Sequence, residues 1–364
     1  MKNLTPPPKN RTTVIRGSGM YVPPQVVTNE MLSRFMDTSD EWIVPRTGIR
    51  ERRFVERGIG SAGLGVKAAE AALADAGLEA SDIDFVVFAT MTPDHYFPGN
   101  GGLLARDLGM KTTHALDIRM QCAGFLSGLQ TADAFIRSGM YDRVLLVGAE
   151  AHTGLMPWPQ SVWDVMLGTS PGPCDPEWYA KATGMRDRAV LFGDGAGAFV
   201  LEANESGDGR GFATFAMYTD GVHWDKLYVP GVGCKSRPYV THEMVDTLTT
   251  IPIVEGRHVF RLAAQLMPAA VLEVLKATGR TLEDLDLLLM HQANLRINEA
   301  AQKALGLPDS KVFNNIEKYG NTTAATLPMV FHEAKLAGKT PPGSVVVFSA
   351  LGAGLHWGAG LVVI

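Results

Sequence analysis

Cys122 is followed by Ala123 and Gly124, and then by an apolar pattern of Phe125, Leu129, Ala132, Phe135 and Ile136. That pattern has helical spacing, so it predicts a largely buried helix with the thiol at its N-terminus. Unpaired N–H groups there carry partial positive charge, which favours a thiolate over a thiol. Ala123 and Gly124 are small enough for a substrate to approach the backbone closely. A thiolate so placed is a nucleophile suited to thioesters. Two other residues could complete such a site. His291 ends the apolar run Leu287-Leu288-Leu289-Met290, and Asn321 follows Gly320. Both side chains are neutral hydrogen-bond donors, able to hold a developing negative charge without a metal. Taken singly, each has a plainer role: a buried cysteine packs, a lone histidine is structural, and Asn after Gly makes a turn or cap.

An internal repeat brings the three together. Ala74 to Val87 recurs as Lys276 to Leu289, Arg143 to Val147 as Ser344 to Phe348, and Gly195 to Leu201 as Gly358 to Ile364. Three elements repeated in order imply two similar α/β halves. We divide the chain into a disordered tail over 1–13, an N-terminal half over 14–205 and a C-terminal half over 206–364. Ile83–Thr90 and Val144–Glu150 read as fully apolar strands alternating with helices, which means covered sheets in a layered α/β sandwich. Overlaying the halves sets the Cys122 helix over the helix that follows Gly320. A pseudo-twofold arrangement then points both helix N-termini at one centre, with His291 at a strand end beside them, where ligands of α/β sheets gather.

Composition narrows the classes. The 364 residues are 46% hydrophobic and 20% charged, enough for a large core in one or two domains. A net charge of −5 gives no general case for nucleic acid or membrane surfaces. The three widely spaced cysteines, Cys122, Cys174 and Cys234, fit neither a zinc-ligand pattern nor a disulfide framework, and so fit a reducing cytoplasm. No apolar run reads as a membrane span. The stretch Asp40 to Arg53 sets Trp42 among arginines, either as a solvated basic turn or as a phosphate or nucleotide site.

From about Ile15 to the end, the chain resembles the β-ketoacyl-acyl-carrier-protein synthase III family of the thiolase superfamily. The motifs that carry the likeness are Asp40-Glu41-Trp42-Ile43 with Arg46-Thr47-Gly48-Ile49; Cys122-Ala123-Gly124-Phe125; Phe192-Gly193-Asp194-Gly195-Ala196-Gly197; His291-Gln292-Ala293-Asn294-Leu295-Arg296; and Gly320-Asn321-Thr322. The resemblance implies a thiolase-like fold and a catalytic triad of Cys122, His291 and Asn321. It implies an oxyanion hole at the backbone of Cys122 and Ala353. Trp42, Arg46, Arg186, Arg257 and Arg296 would face coenzyme A or the carrier protein, and Phe97 and Leu351 the acyl pocket. The implied reaction is decarboxylative condensation of an acyl-CoA primer with malonyl-acyl carrier protein in the cytoplasm. It would run in a homodimer, with no metal and no permanently bound cofactor. Phe97 would reach across to the partner's pocket.

The departures concern the primer. Leu351-Gly352-Ala353-Gly354 replaces a usual Gly-Gly-Gly loop preceded by Phe, Gln121 replaces a usual Ala, and Arg257 a usual Asn. The apolar-rich segment from His152 to Met185 is long for the family, and reads either as extra packing or as a cap on the acyl pocket. Two other functions stay open at this stage: transfer of the same acyl group to an alcohol or amine, and a non-catalytic partner that binds acyl-CoA or carrier protein.

Overall fold

The computed structural model describes residues 10–170 and 172–364. The first half runs β1 (Thr12–Tyr21), β2 (Val26–Thr28), α1 (Asn29–Ser33), α2 (Asp40–Thr47), β3 (Glu51–Arg53), α3 (Ser61–Ala76), β4 (Phe85–Ala89), α4 (Asn100–Asp107), β5 (His114–Ile118), α5 (Gly124–Arg137) and β6 (Arg143–Glu150). It continues through α6 (Gln160–Leu167), α7 (Pro176–Gly184) and α8 (Arg186–Ala189) to β7 (Gly195–Asn204). The second half runs β8 (Gly211–Thr219), β9 (Leu227–Tyr228), α9 (His242–Asp246), β10 (Ile253–Val254), α10 (Gly256–Ala277), β11 (Leu287–Met290), α11 (Leu295–Leu305), α12 (Ile316–Tyr319), α13 (Thr326–Leu336), β12 (Val345–Gly352) and β13 (His356–Val363). Two large sheets result, ordered β1-β7-β6-β4-β5 and β11-β12-β13-β8, beside the two-stranded pairs β2-β3 and β9-β10.

Alternate residues of the central strands face opposite layers, which is why the strands are apolar throughout. Val144 and Leu146 of β6 join a core shared with Phe125 of α5, Phe331 of α13 and Phe348 of β12. Leu145 and Val147 turn to the other face and pack on α3. Val347 and Leu351 of β12 pack likewise on α10 and α11. Helices α5 and α13 therefore lie between the two sheets, with further helices outside, giving five layers. Phe125 is fully buried in the middle layer.

The repeat extends to single hydrogen bonds at one constant offset. The Asp82 carboxylate accepts the Glu79 N–H at 2.9 Å, and Asp284 accepts that of Thr281 at 2.8 Å. Asp84 accepts the Arg143 N–H at 3.0 Å, and Asp286 accepts that of Val345 at 2.7 Å. Strand β4 pairs in parallel with β6 on one side and β5 on the other, whereas its counterpart β11 pairs with β12 on one side and has on the other only the isolated Leu288–Val312 bridge.

Three sequence expectations change. Residues 1–9 of the expected 1–13 tail lie outside the described residues, but Arg11 is buried and Thr12 already opens β1. Arg11 donates to the Ile136 carbonyl at 2.6 Å and pairs with Asp142 and Glu205, partners too distant in sequence for local polarity to reveal. The Asp40–Arg53 stretch is neither a basic turn nor uniformly a ligand site. Ser39 caps α2 through the Trp42 N–H, and Arg52 is fully buried, donating to the Val27 and Val190 carbonyls and to Asn29. Finally, α10 is long and apolar enough to span a membrane by length and composition alone. Its Met267, Val271 and Val274 nevertheless pack in the core beside β12 and β13.

Candidate active site

Cys122 lies on a single 3-10 turn, Gln121–Ala123, that leads into α5. Gln121 takes the left-handed backbone conformation with φ 47°, and its repeat counterpart Thr323 does the same with φ 50°. Non-glycine residues rarely sit there, so both turns carry backbone strain held by their surroundings. Those surroundings are reciprocal. The end of β12 presses Gly352 on the Cys122 turn, where a Cβ would stand 2.7 Å from the Ala123 nitrogen and 3.0 Å from that of Cys122. The end of β6 places Glu150 against the other turn, where its carboxylate accepts the Ala324 N–H at 3.3 Å. The repeat thus sets the thiol at the junction of the halves.

The electrostatics of the thiol contradict the sequence expectation of a thiolate. Burial, and then repulsion from Glu150, push the Cys122 thiol up to about 12, and its backbone N–H offsets only part of this. The helix terminus acts as expected, but a side chain only 7% exposed loses more by desolvation. Glu150 is itself pushed up to about 7 by burial, against hydrogen bonds from Thr92, Met91, Ala324 and Thr90. Cys122 is therefore held as a thiol at neutral pH. Its thiolate fraction should climb with each step toward the raised pKa. Iodoacetamide inactivation of the free protein is then expected to accelerate about tenfold per pH unit from pH 7 to 9; a rate already level below pH 8 would mean an activated thiolate.

His291 comes from the second half. It follows β11 with its N–H bound to the Ser349 carbonyl of β12 at 2.8 Å. Burial holds its imidazole neutral, with a pKa down to about 3. Nδ1 lies 2.6 Å from the Thr326 hydroxyl, while Nε2 is buried without a hydrogen-bond partner. The hydroxyl also donates to the Thr323 carbonyl at 2.9 Å. With its one proton there, Nδ1–H donates to Thr326 and Nε2 is a bare acceptor; with that proton turned to Nδ1, Nε2 carries the hydrogen instead.

Asn321 is fixed just as closely. Its Oδ1 accepts the Thr323 N–H at 2.8 Å, which leaves the amide NH2 as the free donor. Its backbone donates to Leu191 at 2.8 Å and accepts from Gly193 at 3.2 Å. Behind it, the Thr323 hydroxyl meets His152 Nε2 at 2.6 Å, and His152 Nδ1 meets the Gly193 carbonyl at 2.9 Å. A carbonyl only accepts, so Nδ1 bears the hydrogen and Nε2 accepts from Thr323. Burial keeps His152 neutral, with a pKa down to about 4. Sequence reading missed His152, Thr323, Thr326 and Glu150 as supports of the site. One signal was available: Glu150 is a lone carboxylate closing an otherwise apolar strand.

One cavity of about 1620 Å³ is lined by Cys122, His291 and Asn321 and by Leu351, Ala353, Trp42, Arg46 and Arg257. The guanidinium groups of Arg46 and Arg186 each lie 4.7 Å from the Trp42 ring centroid. Arg186 is outside the lining and is held by the carbonyl and carboxylate of Asp37. The structure does not bring the remaining candidates in. Arg296 pairs with Glu299 at 2.6 Å, because α11 sets a carboxylate one turn further on. Phe97 is 81% exposed and outside its own chain's cavity.

Sequence profiles and relatives agree on a family. The profile of 3-oxoacyl-[acyl-carrier-protein] synthase III matches residues 116–171 and 177–221, and that of its C-terminal part matches 275–364. The β-ketoacyl-[acyl-carrier-protein] synthase III of Paracoccus denitrificans is 41% identical over 96% of this chain and 98% of its own. That of Caldanaerobacter subterraneus is 38% identical over 96% of both chains. The chain belongs to the β-ketoacyl-acyl-carrier-protein synthase III family. The crystal structure of the Aquifex aeolicus 3-oxoacyl-[acyl-carrier-protein] synthase III covers 97% of this chain and 100% of its own, with TM-score 0.82 and 36% identity. The thiolase fold follows, and the chain is an enzyme.

Within that family the structure divides the long segment 152–185 in two. Gly154, Leu155, Met156 and Pro157 line the cavity. Trp158, Val162, Met166 and Ala182 form a separate core with Phe35 of the α1–α2 linker and Ile43 of α2. Most of the segment is therefore a buttress behind the helix that carries Trp42 and Arg46, and only its first turn touches the site.

Proposed function

We propose that this enzyme performs the first condensation of fatty-acid synthesis, joining an acyl-CoA primer to malonyl-acyl carrier protein. The observation that carries the reading is the meeting, in one cavity, of a buried thiol, an unpartnered imidazole nitrogen and an amide fixed as a donor. In the first half-reaction the Cys122 proton passes to His291 Nε2 as sulfur attacks the thioester carbon. The oxyanion lies against the N–H groups of Cys122 and Ala353. The intermediate expels the CoA thiolate, which takes the proton and leaves acyl-Cys122. In the second half-reaction the malonyl group loses CO₂. The enolate oxygen is held by the Asn321 amide and by His291 in its Nε2–H form. The enolate carbon attacks the acyl-Cys122 carbonyl, and the 3-oxoacyl product departs on the carrier protein. Cys122 leaves as thiolate and takes up one proton. Asn321 argues against simple acyl transfer to an alcohol or amine, which forms no enolate.

Trp42 with Arg46 and Arg186 forms the nucleotide end, and Arg257 has no ion-pair partner among the described residues. Trp42→Ala should raise KM for acyl-CoA about tenfold and leave use of a short thioester lacking the nucleotide unchanged. Equal loss on both would make Trp42 structural. In solution we place the enzyme in the cytoplasm as a homodimer. Strand β5 is the sheet edge, with Leu116 exposed, which suits pairing with a second copy, and the exposed Phe97 would enter the partner's acyl pocket. Light scattering should give twice the monomer mass, and a monomer at working concentration would remove the shared pocket. The function itself is tested by supplying acyl-CoA and malonyl-carrier protein. CO₂ and 3-oxoacyl-carrier protein in equal amounts are expected, and product without CO₂ would overturn it.

A further inference from the structure

Two segments from opposite halves meet behind Asn321. One is Leu191-Phe192-Gly193, just before β7, and the other is Asn321-Thr322-Thr323. They pair through an isolated bridge, Phe192 with Asn321, and Gly193 lies so near the Tyr319 carbonyl that a Cβ would not fit. Thr323 is the weak point of this junction. Its N–H holds Asn321 Oδ1, so its backbone decides which way the amide faces. Yet that backbone stands at φ 50°, which a β-branched residue keeps only when its neighbours enforce it. Thr323 is fully buried, and its hydroxyl meets His152 Nε2. His152 is buried too. Its ring stacks on Phe192, with centroids 4.6 Å and planes 16° apart, while Nδ1–H donates to the Gly193 carbonyl. One imidazole therefore binds both segments, and its two nitrogens do different work.

We propose that His152 is a positioning residue for the decarboxylation step: by holding Thr323 in its left-handed turn against the Phe192–Gly193 segment, it keeps the Asn321 amide turned with its NH2 toward the enolate. This rests on Asn321 as the enolate donor. Without an acceptor for its buried hydroxyl, Thr323 gains by relaxing toward the ordinary right-handed region. Its N–H then leaves Oδ1, and the amide is free to turn its oxygen toward the enolate, which repels it. Acylation of Cys122 forms no enolate, and His291 is held by Thr326 rather than by the Thr323 hydroxyl. The effect therefore falls on one half-reaction.

The test compares two rates in each variant. One is adduct formation on Cys122, by intact mass, with acetyl-CoA or octanoyl-CoA, whichever labels wild type faster. The other is CO₂ release from malonyl-carrier protein, per enzyme molecule that takes up the acyl group. His152→Gln sets an amide oxygen where Nε2 accepts from Thr323, whereas His152→Asn reaches only the Gly193 end. Both lose the ring, so the loss of packing on Phe192 is matched. His152→Asn should slow CO₂ release at least about tenfold and acylation no more than about threefold. His152→Gln should keep CO₂ release within about threefold of wild type. Thr323→Val, which keeps the shape and removes the hydroxyl, should match His152→Asn, and the double variant should be no slower than either. Equal loss in the Gln and Asn variants, equal loss in both half-reactions, or losses that multiply in the double variant would overturn the inference. Should the His152 variants not fold, Thr323→Val decides alone, and CO₂ release at the wild-type rate would overturn it. Absence of CO₂ release by wild type would instead overturn the proposed function.

Discussion

Cys122→Ser should release no CoA from an acyl-CoA above background, a loss of at least about 10⁴-fold. A serine hydroxyl is far less acidic than even the raised thiol, and the buried, neutral imidazole of His291 is a weak base toward it. The turn itself tolerates the exchange, since oxygen is smaller than sulfur at a buried position pressed by Gly352. The variant should therefore fold, keep its melting temperature within a few degrees and still bind acyl-CoA. Release of CoA at a rate near wild type would assign the nucleophile elsewhere, and neither Cys174, buried in the α1–α2 core, nor the exposed Cys234 lines the cavity.

The second large effect separates the two other cavity residues. Asn321→Ala should slow malonyl decarboxylation about 10²- to 10³-fold and leave acylation of Cys122 nearly intact, because the amide meets charge only on the enolate. His291→Ala should slow both half-reactions. The thiol is not ionised at rest, so its proton needs an acceptor, and Nε2 is the unpartnered one. Had the helix terminus alone produced a thiolate, His291→Ala would spare acylation as Asn321→Ala does. Burst-phase CoA release measures the first step and CO₂ release the second. Equal acylation rates in the two variants would remove the base role from His291 while leaving its role at the enolate.

The chain shows how far sequence reaches. The repeat was legible because a sheet covered on both faces needs unbroken apolar strands, and such strands recur visibly at Arg143–Val147 and Ser344–Phe348. Cys122, His291 and Asn321 were legible because each stands at the end of an element that the repeat superposes. The charge state of Cys122 was not. It depends on burial and on Glu150 across the halves, which sequence spacing does not carry. Arg11 and Arg52 were misread for a related reason: an arginine is buried when carbonyls and carboxylates from distant segments converge on it. Arg296 met the opposite fate, its charge taken by Glu299 one turn along the same helix. The 152–185 segment offered apolar residues without a clear period. Only packing shows that Trp158 and Met166 serve a core while Leu155 and Pro157 meet the cavity. Thr326 and Thr323 look like ordinary helix-start residues, and their hold on His291, Asn321 and His152 needs the third dimension.

The central claim is a covalent acyl group on Cys122 that a decarboxylating malonyl group discharges. Intact-protein mass spectrometry with peptide mapping tests it most directly. After incubation with acyl-CoA alone, the enzyme should gain the mass of one acyl group, located on the peptide that contains Cys122. On addition of malonyl-carrier protein the adduct should vanish, with one CO₂ released for each acyl group lost. An adduct on another residue, or one that persists while CO₂ is evolved, would contradict the account.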